Sequence, residues 1–154
     1  MSSSYAALVT GGTGRLGAAI AARLELEGFR VVAAGRHDGD LGKPDEARGL
    51  VVMIEDVAAY QPWPSFAPHC AAKAAQAMLT RVFARALAPD VRVCGVAPGP
   101  VAVEPEQVGR RAAETLLGRI GSPDDVAEAV LYLTRATFVT GTSLVVDGGR
   151  MLER

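Results

Sequence analysis

Apolar and polar positions alternate along the chain in blocks whose lengths suit strands and helices in turn. The short apolar run Tyr5–Thr10 stops at glycines and predicts a buried parallel strand. The next block, Leu16–Glu27, places leucine and isoleucine at helical spacing and stops at Gly28, a residue type that commonly ends helices. Arg30–Ala34 then predicts a second buried strand. A strand, a helix and a strand within about 30 residues predict a βαβ unit.

The remaining blocks continue this alternation. We expect strands at Leu50–Ile54, Val91–Val96 and Leu144–Val146, and helices at His69–Ala88, Glu106–Leu117 and Pro123–Thr134. Ser122 should cap the last helix, because a proline and two aspartates follow it. Gly35–Gly49 and Asp56–Pro68 are predicted to be mostly loop. The alternation predicts an α/β fold, a Rossmann-like doubly wound parallel sheet, in a single domain over residues 1–154.

Composition narrows the classes of function. Hydrophobic residues make up 49% of the 154 residues and aromatic residues only 5%, which suits helices packed tightly on a sheet. The net charge of −1 gives no sign of nucleic-acid or membrane-surface binding. No stretch approaches the roughly 20 apolar residues of a membrane span, and no signal-peptide pattern is present.

Cys70 and Cys94 lie on different predicted elements, so we expect a cytoplasmic location without a disulfide. His37 and His69 lack a second ligand at a suitable spacing, so we expect no metal site.

A glycine-rich loop connects the first strand to the first helix. Its sequence, Thr-Gly-Gly-Thr-Gly-Arg-Leu-Gly over residues 10–17, lets the chain turn sharply and lets phosphate oxygens approach the backbone. The helix that follows offers free N–H groups and the positive end of its dipole to a pyrophosphate. A plain strand-to-helix turn is the alternative, but one glycine would serve it and this loop has four. We therefore predict a dinucleotide site formed by Gly11, Thr13, Gly14, Arg15, Leu16 and Gly17.

The end of the second predicted strand indicates which dinucleotide is bound. An NAD-specific site favours an acidic residue there, which binds the ribose hydroxyls. This chain has Gly35 and then Arg36, whose guanidinium can bind a 2′-phosphate through charge-assisted hydrogen bonds. Arg15 adds positive potential beside the pyrophosphate. The pattern favours NADP(H) over NAD(H); the alternative for Arg36 is a solvated surface arginine.

Several blocks of the chain resemble the short-chain dehydrogenase/reductase family, and together these blocks cover most of the chain. They are the glycine loop, Val52–Lys73, Val91–Pro100, Leu117–Ala127, Phe138–Gly141 and Val146–Gly149. The pteridine-reductase-like branch is the most similar, on the residues Thr10, Gly11, Arg15, Gly17 and Asp56 and the Pro-Trp-Pro of residues 62–64. The resemblance implies NADPH-dependent reduction of a pterin or a related small molecule. It also implies a homo-oligomer, a dimer or tetramer, paired through the helix His69–Ala88.

The resemblance assigns roles to individual residues. Lys73 matches the family lysine that holds the nicotinamide ribose and lowers the pKa of the catalytic tyrosine. Pro98 and Gly99 match the Pro-Gly after a strand, which we assign to cofactor binding. The family tyrosine, which donates or accepts the proton, is replaced here by His69. Asp56 lies where most members have a catalytic serine.

These side chains are predicted to share one pocket. His69 and Lys73 are four residues apart on a predicted helix and lie on one face, and Asp56 precedes His69 by the family's serine-to-tyrosine spacing. An imidazole can donate a proton near neutral pH to the charge that develops during hydride transfer. Asp56 would favour the imidazolium and Lys73 would oppose it. The constellation can thus support reduction of a small carbonyl or pterin-like substrate.

Replacement of the tyrosine by His69 leaves other functions open. An imidazole has a shorter reach than a phenol, and a shortfall of about 1 Å can cost on the order of 100-fold in rate. The alternatives are a catalytically degenerate relative that still binds the nucleotide, and a structural remnant that binds nothing and pairs through His69–Ala88. For Lys73 the alternative is a solvated lysine, and for Asp56 a loop or helix-cap carboxylate. The sequence does not specify the substrate.

The chain is shorter than the family pattern. After Val51 it lacks most of a helix, a strand and another helix, and with them the position of the family's catalytic asparagine. In the family's sheet the missing strand lies between the first and the fifth strands. Either Leu50–Ile54 closes up against Tyr5–Thr10, or an open slot remains. A slot would expose backbone groups and apolar surface, so we expect closure, with oligomerisation helping. A third option is that a segment has been cut out near Val51–Val52.

Overall fold

The computed structural model describes residues 6–10, 14–34, 49–101 and 103–152. Its strands are β1 (Ala6–Thr10), β2 (Arg30–Ala34), β3 (Gly49–Ile54), β4 (Val91–Pro98) and β5 (Ser143–Val146). Its helices are α1 (Arg15–Leu26), α2 (Ala67–Leu87), α3 (Val108–Ala113) and α4 (Pro123–Arg135), with 3-10 turns at Val57–Ala59, Pro64–Phe66 and Pro105–Gln107. The predicted loop Gly35–Gly49 lies outside the described residues except for Gly49. The predicted site residues Gly11, Thr13 and Arg36 also lie outside them.

Every strand pair in the described part of the chain is parallel. β1 pairs with β2, with Leu8 opposite Val32. β4 lies between β3 and β5, and Val52 on β3 is opposite Cys94 on β4. Helices cover β4, so Cys94 and Val96 are completely buried. The pairing agrees with the parallel α/β arrangement that the sequence predicts.

Helices α1 and α4 pack against each other and form much of the core. α1 buries Ile20 and Leu24 at helical spacing, and Gly28 follows it with a φ of 86°, a conformation that favours glycine. α4 begins at the predicted cap. Ser122 Oγ accepts from the Asp125 backbone at 3.2 Å, while the Asp125 carboxylate accepts from the Ser122 backbone at 2.7 Å. This reciprocal cap fixes the start of α4, whose apolar face then meets α1 and β4.

The structure contradicts the expected closure of the strand Leu50–Ile54 against Tyr5–Thr10. Within the described residues, β1–β2 and β3–β4–β5 are two separate sheets. Leu8 on β1 and Val51 on β3 remain 45% and 39% exposed. Packing of α1 on α4 joins the two sheets, and their shared core sets the separation of the strands. Among the described residues, β1 and β3 are therefore not paired with each other, and apolar side chains on both strands remain partly exposed.

The predicted helix Glu106–Leu117 is wrong in extent, because a 3-10 turn and the short α3 occupy only its first part. Thr115, which is 1% exposed, ends the helical region. Its Oγ1 lies 2.9 Å from the carbonyl oxygens of both Ala112 and Arg119, which draws the chain into a turn. Gly118 takes a φ of 68° inside that turn, where a side chain would be strained.

Both cysteines are free thiols. Cys70 is half-buried on α2, and Cys94 is buried on β4. Burial raises the pKa of the Cys94 thiol, and the charge of Arg92 opposes the rise. Among the helices that the structure describes, none has the length and apolar character needed to cross a membrane.

Candidate functional site

The carboxyl end of β3 is followed by two acidic residues, Glu55 and Asp56. Glu55 is 3% exposed, and its carboxylate accepts hydrogen bonds from Thr80 Oγ1 at 2.6 Å and from the Tyr60 hydroxyl at 2.9 Å. Burial raises the pKa of Tyr60, Glu55 adds to the rise, and a hydrogen bond with Ser143 opposes it. Glu55 thus anchors both the loop after β3 and the middle of α2. Glu55 could not be predicted from the sequence, because one acidic residue at a strand end carries no spacing signal.

Asp56 joins this loop to the start of α2. Its Oδ1 accepts from the backbone N–H of Ala58 at 2.7 Å and caps the 3-10 turn. Its Oδ2 lies 3.3 Å from Nε2 of His69, which stands in the first turn of α2 with its side chain 46% exposed. The structure therefore brings together two of the predicted site residues, and it also shows the capping contact that was the alternative for Asp56.

Lys73 lies one turn further along α2 and reaches back to the end of β3. Its ammonium group donates to the carbonyl oxygens of Ile54 and Glu55, each at 3.3 Å, and to Oε1 of Gln76 at 3.2 Å. The side chain is half-buried and held by these acceptors rather than solvated. Lys73 does not line the cavity that Asp56 and His69 line, so the structure does not place all three predicted site residues in one pocket.

Gly99 lies where the carboxyl ends of β4 and β5 approach each other. Its N–H donates to the carbonyl of Val146 at 3.0 Å, and a Cβ at this position would come within 2.7 Å of Cβ of Asp147. A side chain would therefore displace the neighbouring strand end. Pro98 is buried at the end of β4, whereas Gly99 and Pro100 line the cavity.

A cavity of about 740 Å³ lies between the loop after β3 and the segment after β4. Asp56, His69 and Gly99 line it together, and its size suits a small molecule. The apolar lining includes Val57, Trp63, Phe66, Pro100, Val101 and Val103, and the polar lining includes Glu104, Gln107, Arg111 and Arg150. No group of three histidine, cysteine or acidic side chains in the described ranges could hold a metal ion.

Three charged residues form one cluster at the wall of this cavity. The Glu114 carboxylate accepts from Nη1 of Arg111 at 3.0 Å and from Nε of Arg150 at 2.9 Å. Burial alone would raise the pKa of Glu114, but the two arginines outweigh burial and hold it below its ordinary value. The guanidinium carbon of Arg150 lies 4.7 Å from the ring centre of Trp63, a cation–π distance. This cluster could not be predicted from the sequence, because α3 and the segment after β5 are far apart in the chain.

The described part of the glycine loop lies near the cavity. Gly14 is the N-cap of α1, so no capping side chain covers the first N–H groups of the helix. Arg15 donates to the Glu104 carboxylate at 3.0 Å, with the two side chains 70% and 57% exposed. Leu16 packs against the core, and Gly17 is half-buried on α1. Because Glu104 lines the cavity, the side chain of Arg15 connects the start of α1 to the cavity wall.

The chain is similar in sequence to known oxidoreductases. The family model described as enoyl-(acyl carrier protein) reductase matches residues 41–150. The inactive 2-(S)-hydroxypropyl-CoM dehydrogenase 2 of Xanthobacter autotrophicus is 40% identical over 123 residues, which cover 70% of this chain and 54% of that protein. The short-chain dehydrogenase/reductase homolog YusR of Bacillus subtilis is 35% identical over 109 residues, which cover 68% of this chain and 84% of that homolog. The chain spans about half the length of the first curated relatives it matches.

The fold is similar to that of a solved small-chain dehydrogenase in complex with NADPH. The TM-score is 0.83 at 20% identity, and the match covers 97% of this chain and 100% of that chain. At this identity the likeness shows the fold alone. The comparison confirms the predicted Rossmann-like α/β fold.

Proposed function

Because this chain belongs to the short-chain dehydrogenase/reductase family, we propose that it uses NADP(H) to reduce a small carbonyl or pterin-like substrate. The observation that carries the proposal is the cavity of about 740 Å³, which is lined by the paired Asp56 and His69 and by Gly99. A hydride acceptor bound there would have a proton donor beside it, as carbonyl reduction requires. Arg15, Asp56 and the Pro-Trp-Pro of residues 62–64 support the pterin-like class.

The residues present fit a dinucleotide. The first turn of α1 begins after Gly14 without a capping side chain, which leaves N–H groups and the positive end of the helix dipole for a pyrophosphate. Gly99 lies at the carboxyl ends of β4 and β5, the edge at which open parallel sheets bind ligands. Lys73 and Arg36 are assigned to the nicotinamide ribose and the 2′-phosphate. A solved protein of the same fold binds NADPH, which supports this cofactor. When bound, NADPH supplies the hydride.

Residues of the chain itself supply the proton for the reduction. With Nε2 of His69 turned to Asp56, Nδ1 donates a proton to the substrate atom on which negative charge develops. Asp56 orients the imidazole through its contact with Nε2. The ammonium group of Lys73 is held at the end of β3 by the carbonyl oxygens of Ile54 and Glu55.

A second candidate function is NADP(H) binding without turnover. Two points favour it. The first is our assignment of His69 to the place of the family tyrosine, because an imidazole has a shorter reach than a phenol. The second is a relative, 40% identical, that is itself named as inactive.

Binding and turnover measurements separate the two candidates. The purified chain is titrated with NADPH and with NADH in thermal-shift experiments, and NADPH oxidation is then followed with pterins and small carbonyls. Ligand at about 100 times its Kd stabilises by about 2.7 kcal/mol, so binding is readily seen. We expect a larger shift with NADPH, and loss of turnover in Lys73→Ala but not in Arg85→Ala, an exposed position on the same helix. A shift without turnover selects the second candidate, and no shift with either nucleotide overturns both.

We also propose that two copies pair through α2. Five apolar side chains on this helix are each 40–53% exposed, namely Met78, Leu79, Val82, Phe83 and Leu87. They form a stripe of two neighbouring rows with a spacing of four residues, Met78 with Val82, and Leu79 with Phe83 and Leu87, on one side of the helix. A stripe of this kind on a monomer would leave apolar surface in contact with water, and burial against a second copy removes it.

A further inference from the structure

Arg111 and Arg150 bring an excess of positive charge to the wall of the cavity. Arg111 lies on α3, one turn before Glu114, and Arg150 lies in the turn after β5. Oε2 of Glu114 lies 3.0 Å from Nη1 of Arg111 and 2.9 Å from both Nε and Nη2 of Arg150. Two guanidinium groups share one carboxylate, so the cluster has one net positive charge.

This charge is partly withdrawn from water. The side chains of Arg150 and Arg111 are 14% and 29% exposed. Over the ranges that the structure describes, Nη1 of Arg150 and Nη2 of Arg111 have no hydrogen-bond partner in the protein. Withdrawing a guanidinium from water costs free energy, which an anionic oxygen beside it can offset. The cluster is therefore suited to receive an anion.

The two carboxylates of the cavity lining are engaged elsewhere. Glu104 forms an ion pair with Arg15 at 3.0 Å, and Asp56 lies 3.3 Å from Nε2 of His69. Neither of these contacts involves Arg111 or Arg150, so the positive charge of the cluster remains available to a ligand.

The turn after β5 fixes Arg150 in place. The carboxylate of Asp147 accepts from the N–H groups of Gly149 and Met151, each at 2.8 Å, and holds the turn. The guanidinium then lies over Trp63 at 4.7 Å from its ring centre. A planar donor group already held in position loses little freedom when it binds a ligand.

We infer that Arg111 and Arg150 form an anion subsite of this cavity, and that the substrate carries a carboxylate in addition to its carbonyl group. The inference rests on the proposed function for the reaction, but the subsite itself rests on the charge cluster. A carboxylate matches the planar fork of a guanidinium. The rings of Trp63 and Phe66 lie 6.4 Å apart, edge to face, and offer an apolar wall to the rest of the ligand. An aromatic aldehyde acid or keto acid fits both requirements.

Trp63 provides a direct measurement of binding, because it is the single tryptophan of the chain and lies against Arg150. Its fluorescence is titrated with benzoate and with benzamide at constant ionic strength, with and without saturating NADP⁺. The two probes have the same ring and differ in charge. We expect benzoate to bind about tenfold more tightly than benzamide, as a charge-assisted hydrogen bond predicts.

Matched variants assign that preference to the cluster. Arg111→Gln should weaken benzoate binding about tenfold and leave benzamide binding unchanged, whereas Arg111→Lys should retain part of the preference. Arg110→Gln is the control, because Arg110 is the exposed neighbour on α3 and does not line the cavity. Arg150→Lys tests the second guanidinium, and thermal unfolding confirms that each variant is folded.

The outcomes separate the subsite from the proposed function. Equal affinity for benzoate and benzamide, or equal losses in Arg111→Gln and Arg110→Gln, overturns the subsite. With NADPH, kcat/KM for 4-carboxybenzaldehyde should exceed that for its methyl ester about tenfold, and Arg111→Gln should remove the difference. Selective benzoate binding without any NADPH-dependent turnover would support the anion subsite and contradict the proposed reductase function.

Discussion

Thr80 in the middle of α2 donates a hydrogen bond of 2.6 Å to Oε1 of Glu55 at the end of β3, and neither residue is more than 3% exposed. The bond ties the helix that carries His69 and Lys73 to the strand end that carries Asp56. A buried carboxylate depends on such donors, because water cannot replace them.

Thr80→Val should therefore destabilise the protein by about 2 kcal/mol, since it keeps the side-chain shape and removes the donor. Thr80→Ser keeps the hydroxyl and should lose less. Urea unfolding of both variants measures the difference. The free energies of unfolding of the valine and serine variants would agree if the bond contributed nothing.

The sequence predicts the positions of strands and helices well, because local patterns determine them. Leu24 and Ile20 mark the buried face of α1, and the Ser122–Asp125 cap is local. The separation of the two sheets cannot be predicted in this way. It depends on how α1 packs on α4 across more than 100 residues of chain, which no local pattern encodes.

In the candidate site, too, some contacts can be predicted from the sequence and others cannot. The resemblance, together with the separation of 13 residues, predicts that Asp56 and His69 lie close together, and the structure shows their side chains in contact. Glu55 with Thr80, and Arg111 with Arg150, meet only through tertiary packing. The resemblance does not predict these contacts, because Thr80, Arg111 and Arg150 lie outside the blocks that carry it.

The carboxylate of Asp125 should make stability depend on pH. Hydrogen bonds from Arg119 and from the backbone and hydroxyl of Ser122 hold the pKa of Asp125 well below its ordinary value. A group whose pKa is lower in the folded state stabilises the fold fully above its unfolded pKa of about 3.9; this stabilisation declines below that value and is lost as the pH falls through the lower pKa of the folded state. Asp125→Asn should cost about 1 kcal/mol at pH 7, and its difference from the natural chain should shrink towards pH 3.

Urea unfolding at the two pH values measures this effect. Asp124→Asn removes the same charge from the same exposed turn and is the control, because Asp124 has no part in the cap. A difference between Asp125→Asn and the natural chain that stayed constant from pH 7 to pH 3 would show that the lowered pKa does not contribute to stability.

Phe83→Glu should weaken self-association through α2. Phe83 is 40% exposed within the apolar stripe, and a carboxylate buried against a second copy would be desolvated without a partner. We expect the dissociation constant to rise at least about tenfold. Sedimentation velocity over a concentration series measures it. Leu26→Glu on α1, at a position that is 83% exposed, is the control. A natural chain that stays monomeric throughout the series would rule out pairing through α2.

His69→Tyr should increase turnover if the proposed reduction takes place in this cavity. A phenol at this position extends further from α2 than the imidazole does, and a gain of about 1 Å towards the reacting atom can be worth on the order of 100-fold in rate. We expect kcat/KM with NADPH and 4-carboxybenzaldehyde to rise about tenfold or more, with NADPH affinity from thermal shift unchanged. His69→Phe supplies the ring without the hydroxyl and should be slower than the natural chain, because it removes the proton donor. Equal rates for the tyrosine and phenylalanine variants would mean that position 69 does not donate the proton, and the proposed role of His69 would then be wrong.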